Sequence, residues 1–301
     1  MTSRSGPAAA QSAGRWELLR ALGTLAIGSP ADTARVARAL DLPVWTTAEH
    51  TELFVLALPP YASIHLGPDG KLGGEAADRV AGIWRALGLS PPADADHLGT
   101  ILALYAELGE AADTASGQTT RERLDRAREA VLWEHLWAWL PGYLDAVVGQ
   151  ADVARPWAAL TQRALRSEVR RSQPPAALPL ALRTAPERLT AAASFDELLD
   201  AVTARTRSGF ILTRSDLAAA AGRLGLGLRH GERRFTLRAM LEQDPGSTLD
   251  WLASHAWRWA SLHRRHVAVS ADPSLWWSER AAQVARSLQD LAGQIGASYN
   301  D

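Results

Sequence analysis

Apolar residues recur at helical spacing along nearly the whole chain, and no stretch alternates apolar and polar residues as a half-buried strand would. Val80, Ile83, Trp84 and Leu87 stand at i, i+3, i+4 and i+7, with Gly88 placed to close the helix, so the pattern predicts a helix with that face buried. Ser29 before Pro30 reads as an N-cap, and Thr46 with Glu49 has capping-box spacing ahead of Leu53 and Phe54. Asp96 is placed to cap a helix from His97 to Leu108. Thr119 with Glu122 is placed to open a long one through Leu124, Val131, Leu132, His135 and Trp139 until Pro141 interrupts it. A further helix is expected from about Pro156 to Arg171. Ser194 with Glu197, Thr213 with Asp216, and Ser247 with Asp250 repeat the capping spacing beyond it. The fold class implied is all-α.

A chain of 301 residues exceeds one typical domain. The Pro/Ala stretch through Pro174, Pro175, Pro179 and Pro186 cannot continue a helix. The expected division is a disordered tail over 1–14, a helical domain over 15–172, a linker over 173–193 and a smaller helical domain over 194–301. With 32 basic against 33 acidic side chains, the chain is neither an acidic disordered segment nor a basic nucleic-acid coat. The absence of cysteine removes disulfides, thiolate metal sites and cysteine nucleophiles. No run of 18 apolar residues and no secretory core occur, which gives the expectation of a soluble cytoplasmic protein without a transmembrane segment. G-x-S-x-G, G-x-x-x-x-G-K-[ST] and H-E-x-x-H are missing, and Gly222, Gly225, Gly227 and Gly231 do not fit G-x-G-x-x-G. Neither an enzyme nor a cofactor-binding protein is expected, and no metal site.

The densest polar cluster in an apolar setting is Pro59-Pro60-Tyr61-Ala62-Ser63-Ile64-His65-Leu66, followed by Asp96-His97-Leu98-Gly99. Together with Glu52-Leu53-Phe54, the Gly-rich turn from Gly67 to Gly74, and His135-Leu136 followed by Trp139 and Pro141, these fragments occur in the order seen in one family. From about Arg15 to Arg171 the chain resembles the TorD/DmsD/NarJ redox-enzyme maturation chaperones. The resemblance implies an all-helical cytoplasmic protein, not itself a redox enzyme. Its partner would be the twin-arginine signal peptide, the apo form, or both, of a molybdopterin oxidoreductase awaiting its cofactor. It points to Tyr61, Ser63, Asp96, His97, His135 and Trp139 as contact residues, with His65 and Tyr105 added as peptide-binding candidates. His65 stands where an aromatic residue is common, and Asp94-Ala95 replace a Glu-Pro pair.

A receptor for such a peptide needs an apolar groove with carboxylates at one end. Glu49, Glu52, Asp94 and Asp96 are the candidate carboxylates, and Phe54, Tyr61, Leu98, Tyr105 and the tryptophans of the long helix the candidate lining. On one regular helix Trp133, Trp137 and Trp139 cannot all point inward, so at least one is expected to be exposed. His135 falls on or beside the buried stripe, as a neutral, hydrogen-bonded histidine.

Two rival readings remain. His50, His65, Asp96, His97 and His135 offer metal-ligand chemistry for a hydrolase, yet no pair has diagnostic spacing. His255, His263 and His266, set among Arg258, Arg264 and Arg265, read as a solvated basic face. Residues 213–238 read like a helix-turn-helix, and Arg205 to Arg238 holds eight arginines against two acids, a balance of plus six. The second helix of that segment lacks Asn, Gln or Ser to read base edges, so no specific nucleic-acid partner is expected. An acidic segment of the same protein accounts for the charge as well as phosphates do.

Overall fold

The computed structural model describes residues 7–228, 231–269 and 271–298. In chain order the helices are α1 (Pro7–Ile27), α2 (Pro30–Ala39), α3 (Thr47–Thr51), α4 (Ala62–Leu66), α5 (Gly74–Ala86), α6 (Leu98–Thr114), α7 (Gln118–Ala130), α8 (Leu140–Gln150) and α9 (Arg155–Arg171). They continue as α10 (Leu180–Arg183), α11 (Phe195–Thr203), α12 (Arg205–Ser208), α13 (Arg214–Leu224), α14 (Arg233–Gln243), α15 (Pro245–Arg264) and α16 (Ala271–Ser298). Two π-helical segments, Glu52–Ala57 and Val131–Trp137, interrupt the α series. Among the described residues there is no strand, so the fold is all-α as the pattern requires.

The chain forms two compact units, one reaching to Ala62 and resuming over Glu75–Ala177, the other made of Ser63–Gly74 and everything from Leu178. This division cuts the chain inside the Pro-Tyr-x-Ser element, which spacing alone assigned to one domain. Residues 1–6 of the expected tail lie outside the described residues, and from Pro7 the Ala-rich run is already helical. The Pro/Ala stretch is also less free than expected. Ala181, Leu182 and Leu189 are buried, and the carbonyls of Pro186 and Leu189 accept hydrogen bonds from Arg280 and Ser287 of α16.

In the first unit α1 and α6 run antiparallel at very close range. A Cβ on Gly23 would meet the Gly99 carbonyl at 3.0 Å, and one on Gly109 would strike the Trp16 ring, so glycine is what lets these backbones meet. Trp16 donates to Asp113 at 2.7 Å, and Trp157 of α9 donates to the Leu22 carbonyl at 3.0 Å. Further along α6, Tyr105 donates to Glu168 at 2.9 Å, a carboxylate that also faces Arg15, Arg171 and Arg128 at 3.4, 3.5 and 3.8 Å. One buried acid thus ties α1, α6, α7 and α9 together.

The cap positions at Ser29, Thr46, Ser194 and Thr213 are those expected, and Gly88 takes φ 76° to end α5. Other caps shift. α7 starts at Gly117 without a side-chain cap, Gln118 rather than Thr119 engaging Glu122, and α15 is capped by Asp244 rather than Ser247. The face of Val80 is shallower than predicted: Val80 is buried, but Ile83, Trp84 and Leu87 are half-buried.

The expectation of an exposed tryptophan fails. Trp133, Trp137 and Trp139 are all buried because the chain is not one regular helix there. Widening to a π-helix over Val131–Trp137 shifts the side-chain angles, and Trp139 leaves the helix at φ −137° to become the N-cap of α8, which holds Pro141 in its first turn. Trp133 donates to Ser172 and Trp139 to the His135 carbonyl.

In the second unit α15 and α16 pair antiparallel, Ser278 donating to the Ala260 carbonyl at 2.9 Å while Arg286 lies over Trp257. Beside them the segment Gly209–Leu212 is buried yet not helical, so its carbonyls need donors from elsewhere. His263 Nε2 reaches the Gly209 carbonyl at 2.9 Å, Ser208 donates to Phe210, His255 Nε2 reaches Ile211 at 2.9 Å, and Arg233 donates to Leu212 at 2.8 Å. His255, His263 and His266 are therefore buried, which corrects the solvated basic face. His255 and His263 lie on the inner stripe of α15 with Leu252, Ala256 and Trp259, where their imidazoles meet the orphan carbonyls, and His266 follows just past the end of that helix.

Candidate functional site

Pro59 and Pro60 hold the chain extended into Tyr61, and after Pro91 and Pro92 a turn over 93–96, in which His97 N–H donates to the Asp94 carbonyl at 3.1 Å, leads to His97. The two stretches pair in the isolated bridge Tyr61–His97: Ala62 N–H donates to the Asp96 carbonyl at 2.9 Å and Leu98 N–H to the Pro60 carbonyl at 2.8 Å. The bridge delivers His97 to the N-terminus of α6. There its Nδ1 accepts the Gly99 N–H at 3.0 Å, making His97 the N-cap instead of the expected Asp96. The Asp96 side chain is buried at 4% exposure and engaged, whereas Asp94 is exposed.

Because Nδ1 accepts, the ring proton of His97 sits on Nε2, and nothing among the described residues accepts it. Burial pushes this imidazole down to about 4, against the pull of Asp94 and Asp96, so it is neutral at physiological pH. Tyr61 packs edge-on against the ring with centroids 4.8 Å apart, and its hydroxyl points to Asp94 Oδ1 at 3.4 Å. Burial and the Asp94 charge raise the phenol above its ordinary value, which keeps it a donor. The junction thus presents an exposed carboxylate, a phenol and a neutral N–H donor side by side.

Next to it lies an aromatic wall. His50 is close enough to His97 to lower its basicity slightly, and its ring sits 5.0 Å from Phe54 and 6.1 Å from Trp45. Phe54 and Trp45 in turn meet Trp157 at 5.3 and 5.9 Å. On the same π-helical turn as Phe54, Val55 and Leu56 are exposed at 59% and 49%. Trp45 and Trp157 were not singled out from the sequence. They stand far apart along the chain, and no local pattern links them.

The other predicted residues go elsewhere. Tyr105 is fully buried with its hydroxyl committed to Glu168, and burial drives that hydroxyl above the usual range. His135 is half-buried, neutral and pushed to about 4 by burial and the charge of Arg79; its ring has no hydrogen-bond partner among the described residues. Trp139 is buried against Tyr143, whose hydroxyl donates to the Leu58 carbonyl. Ser63 and His65 are buried in the second unit, where Ser63 Oγ accepts from Gly73 N–H and Thr206 donates to the Gly67 carbonyl. Among the described residues no three His, Asp or Glu side chains converge as metal ligands.

The helix-turn-helix reading also meets the structure. Arg229 lies outside the described residues, but Arg234 pairs with Asp200 at 2.8 Å and Asp196 at 2.9 Å, and Arg238 pairs with Asp196 and covers Phe195. With Arg233 on Leu212 and Arg205 stacked 4.4 Å over Trp277, half of the eight arginines are spent inside the unit. An acidic segment of the same chain, α11, accounts for much of the charge.

Residues 13–145 match the family described as nitrate reductase delta subunit, which supports the similarity of this stretch to the TorD/DmsD/NarJ-type molybdoenzyme maturation chaperones, a family of chaperones and not of enzymes. The match covers a little under half of the chain and falls almost wholly in the first unit. No curated protein and no solved structure matches the chain. No helix among the described residues is long and apolar enough to cross a membrane.

Proposed function

We propose that the chain is a cytoplasmic chaperone that binds the twin-arginine signal peptide, and with it the apo form, of a molybdopterin oxidoreductase before cofactor loading and export. The observation that carries this reading is the junction itself, an exposed Asp94 carboxylate beside Tyr61 and the free Nε2–H of His97, in a unit that also exposes Val55 and Leu56. A guanidinium would pair with Asp94, a peptide carbonyl would accept from His97, and the apolar stretch of the signal would lie on the aliphatic patch. We assign this role to the domain over 15–172 and an accessory or client-contacting role to 194–301. Function then rests on differential binding, with no chemical step.

The test uses the full chain and a fluorescent twin-arginine signal peptide. Asp94→Asn keeps the shape and removes the charge, so affinity should fall about tenfold, the worth of one charge-assisted hydrogen bond, with an unchanged melting temperature. Asp96→Asn should instead lower the melting temperature, because that side chain is buried. Equal peptide affinity for Asp94→Asn and the unaltered chain would remove Asp94 from recognition.

A further inference from the structure

α7 buries none of its residues, an unusual condition for a helix of a compact unit. Its Leu124, Ala127 and Ala130 face Ile83 and Ala86 of α5 and Leu87 just after it across an open apolar cleft of about 540 Å³, and Thr120, Arg123 and Arg126 complete its lining. All nine residues belong to the first unit. The cleft is distinct from the Tyr61–His97 junction and shares no residue with it.

The charges on this helix are not equivalent. Asp125 is taken by Arg128, Glu122 by Gln118, and Glu129 faces Ser172. Arg121 closes the end of α6 by donating to the Ala112 and Ala115 carbonyls. Arg123 and Arg126 are exposed, have no partner among the described residues, and are the two cations that line the cleft; no acid lines it. They stand at i and i+3, so both guanidiniums lie along one edge of an apolar floor.

We propose that this cleft docks a second client segment: an amphipathic helix whose apolar face enters between α5 and α7 and whose Asp or Glu residues meet Arg123 and Arg126. Charge complementarity decides the occupant. A twin-arginine segment would be repelled by the cleft, whereas carboxylates on the rim of an apolar helix face would be steered to it. The proposal rests on the chaperone reading only in naming a client as the source of the helix. It gives the first unit two peptide sites of opposite sign.

The test uses the full chain and three fluorescein-labelled synthetic peptides with one leucine stripe, whose remaining positions carry Glu, Gln or Lys. The Glu peptide should bind at least tenfold more tightly than the Lys peptide at low salt, and the gap should close at about 0.5 M salt, where the screening length is a few ångströms. R123E/R126E, both at exposed positions, should reverse the order. Leu124→Ala, which keeps helix propensity, should weaken the Glu peptide about fivefold while preserving the order. Equal or tighter binding of the Lys peptide, or no response to either variant, would overturn the proposal, as would selective binding of anionic lipid vesicles in place of all three peptides. The signal-peptide assay runs in parallel. If Asp94→Asn proves silent there while the Glu peptide still obeys Arg123 and Arg126, the signal-peptide reading fails and the cleft stands.

Discussion

The two units use buried histidine in opposite ways. In the second, the ring nitrogens of His255 are both spent: Arg258 donates to Nδ1 at 2.8 Å, so Nε2 carries the proton and gives it to the Ile211 carbonyl. The indole nitrogen of Trp259, 3.0 Å from the same Nε2, then finds no lone pair there. His263 likewise serves the Gly209 carbonyl. In the first unit His97 spends Nδ1 on a helix cap and keeps Nε2–H for a partner. Burial alone does not mark a functional histidine, since all three are buried; what distinguishes them is where the ring N–H goes, to a carbonyl of the fold in His255 and His263 and to nothing among the described residues in His97.

Acid should test both uses at once, with the largest effect. His97, His135 and His255 are held at about 4 and His263 at about 3, against 6.5 in the unfolded chain. Below pH 6.5 the unfolded chain takes up protons that the folded one refuses. Stability is therefore complete above that value and is lost as pH falls toward 4 and then 3, by up to about 1.4 kcal/mol per histidine per pH unit. Urea midpoints at pH 7, 5.5 and 4.5 should fall steeply and in order. A flat profile would show that these rings are hydrated in solution.

Next in size is His263→Leu, which leaves the buried Gly209 carbonyl without its donor and should cost about 2–4 kcal/mol, read as faster amide exchange in α15 and α16. Glu168→Gln is its counterpart in the first unit. It leaves Arg15 and Arg128 facing a neutral amide and should cost about 1–3 kcal/mol, with exchange rising in α1, α6, α7 and α9 and not in α15. Exchange that spreads to both sets of helices in either variant would mean that the units unfold together. The smallest effect belongs to His97→Asn. Asparagine still caps, so stability should change by less than about 0.5 kcal/mol, while signal-peptide affinity falls with the lost Nε2–H donor.

Much of this was legible locally. A capping box is four residues long, and Thr46, Ser194 and Thr213 form theirs as read because donor and acceptor lie on one turn. The order of the Pro-Tyr, Asp-His and His-x-x-x-Trp fragments pointed to the family that residues 13–145 match. Where two competent caps stand side by side, local spacing does not choose between them. Asp96 and His97 are both competent, and the bridge to Tyr61 decides in favour of His97 by turning Asp96 inward.

By itself, the sequence determined the all-α class, most helix ends and the absence of thiol chemistry, since these depend on propensities and spacings within a turn or two. Only the tertiary structure decided the rest. The π-helix that buries Trp133 and Trp137, and the exit from it that buries Trp139, depend on neighbours on every side. His255 and His263 of the second unit turn inward because carbonyls some forty to fifty residues away need donors, as the sequence separations of 44 and 54 show. Hydrogen-bond satisfaction in a buried interior is a property of the whole packing, and no window along the chain contains both partners.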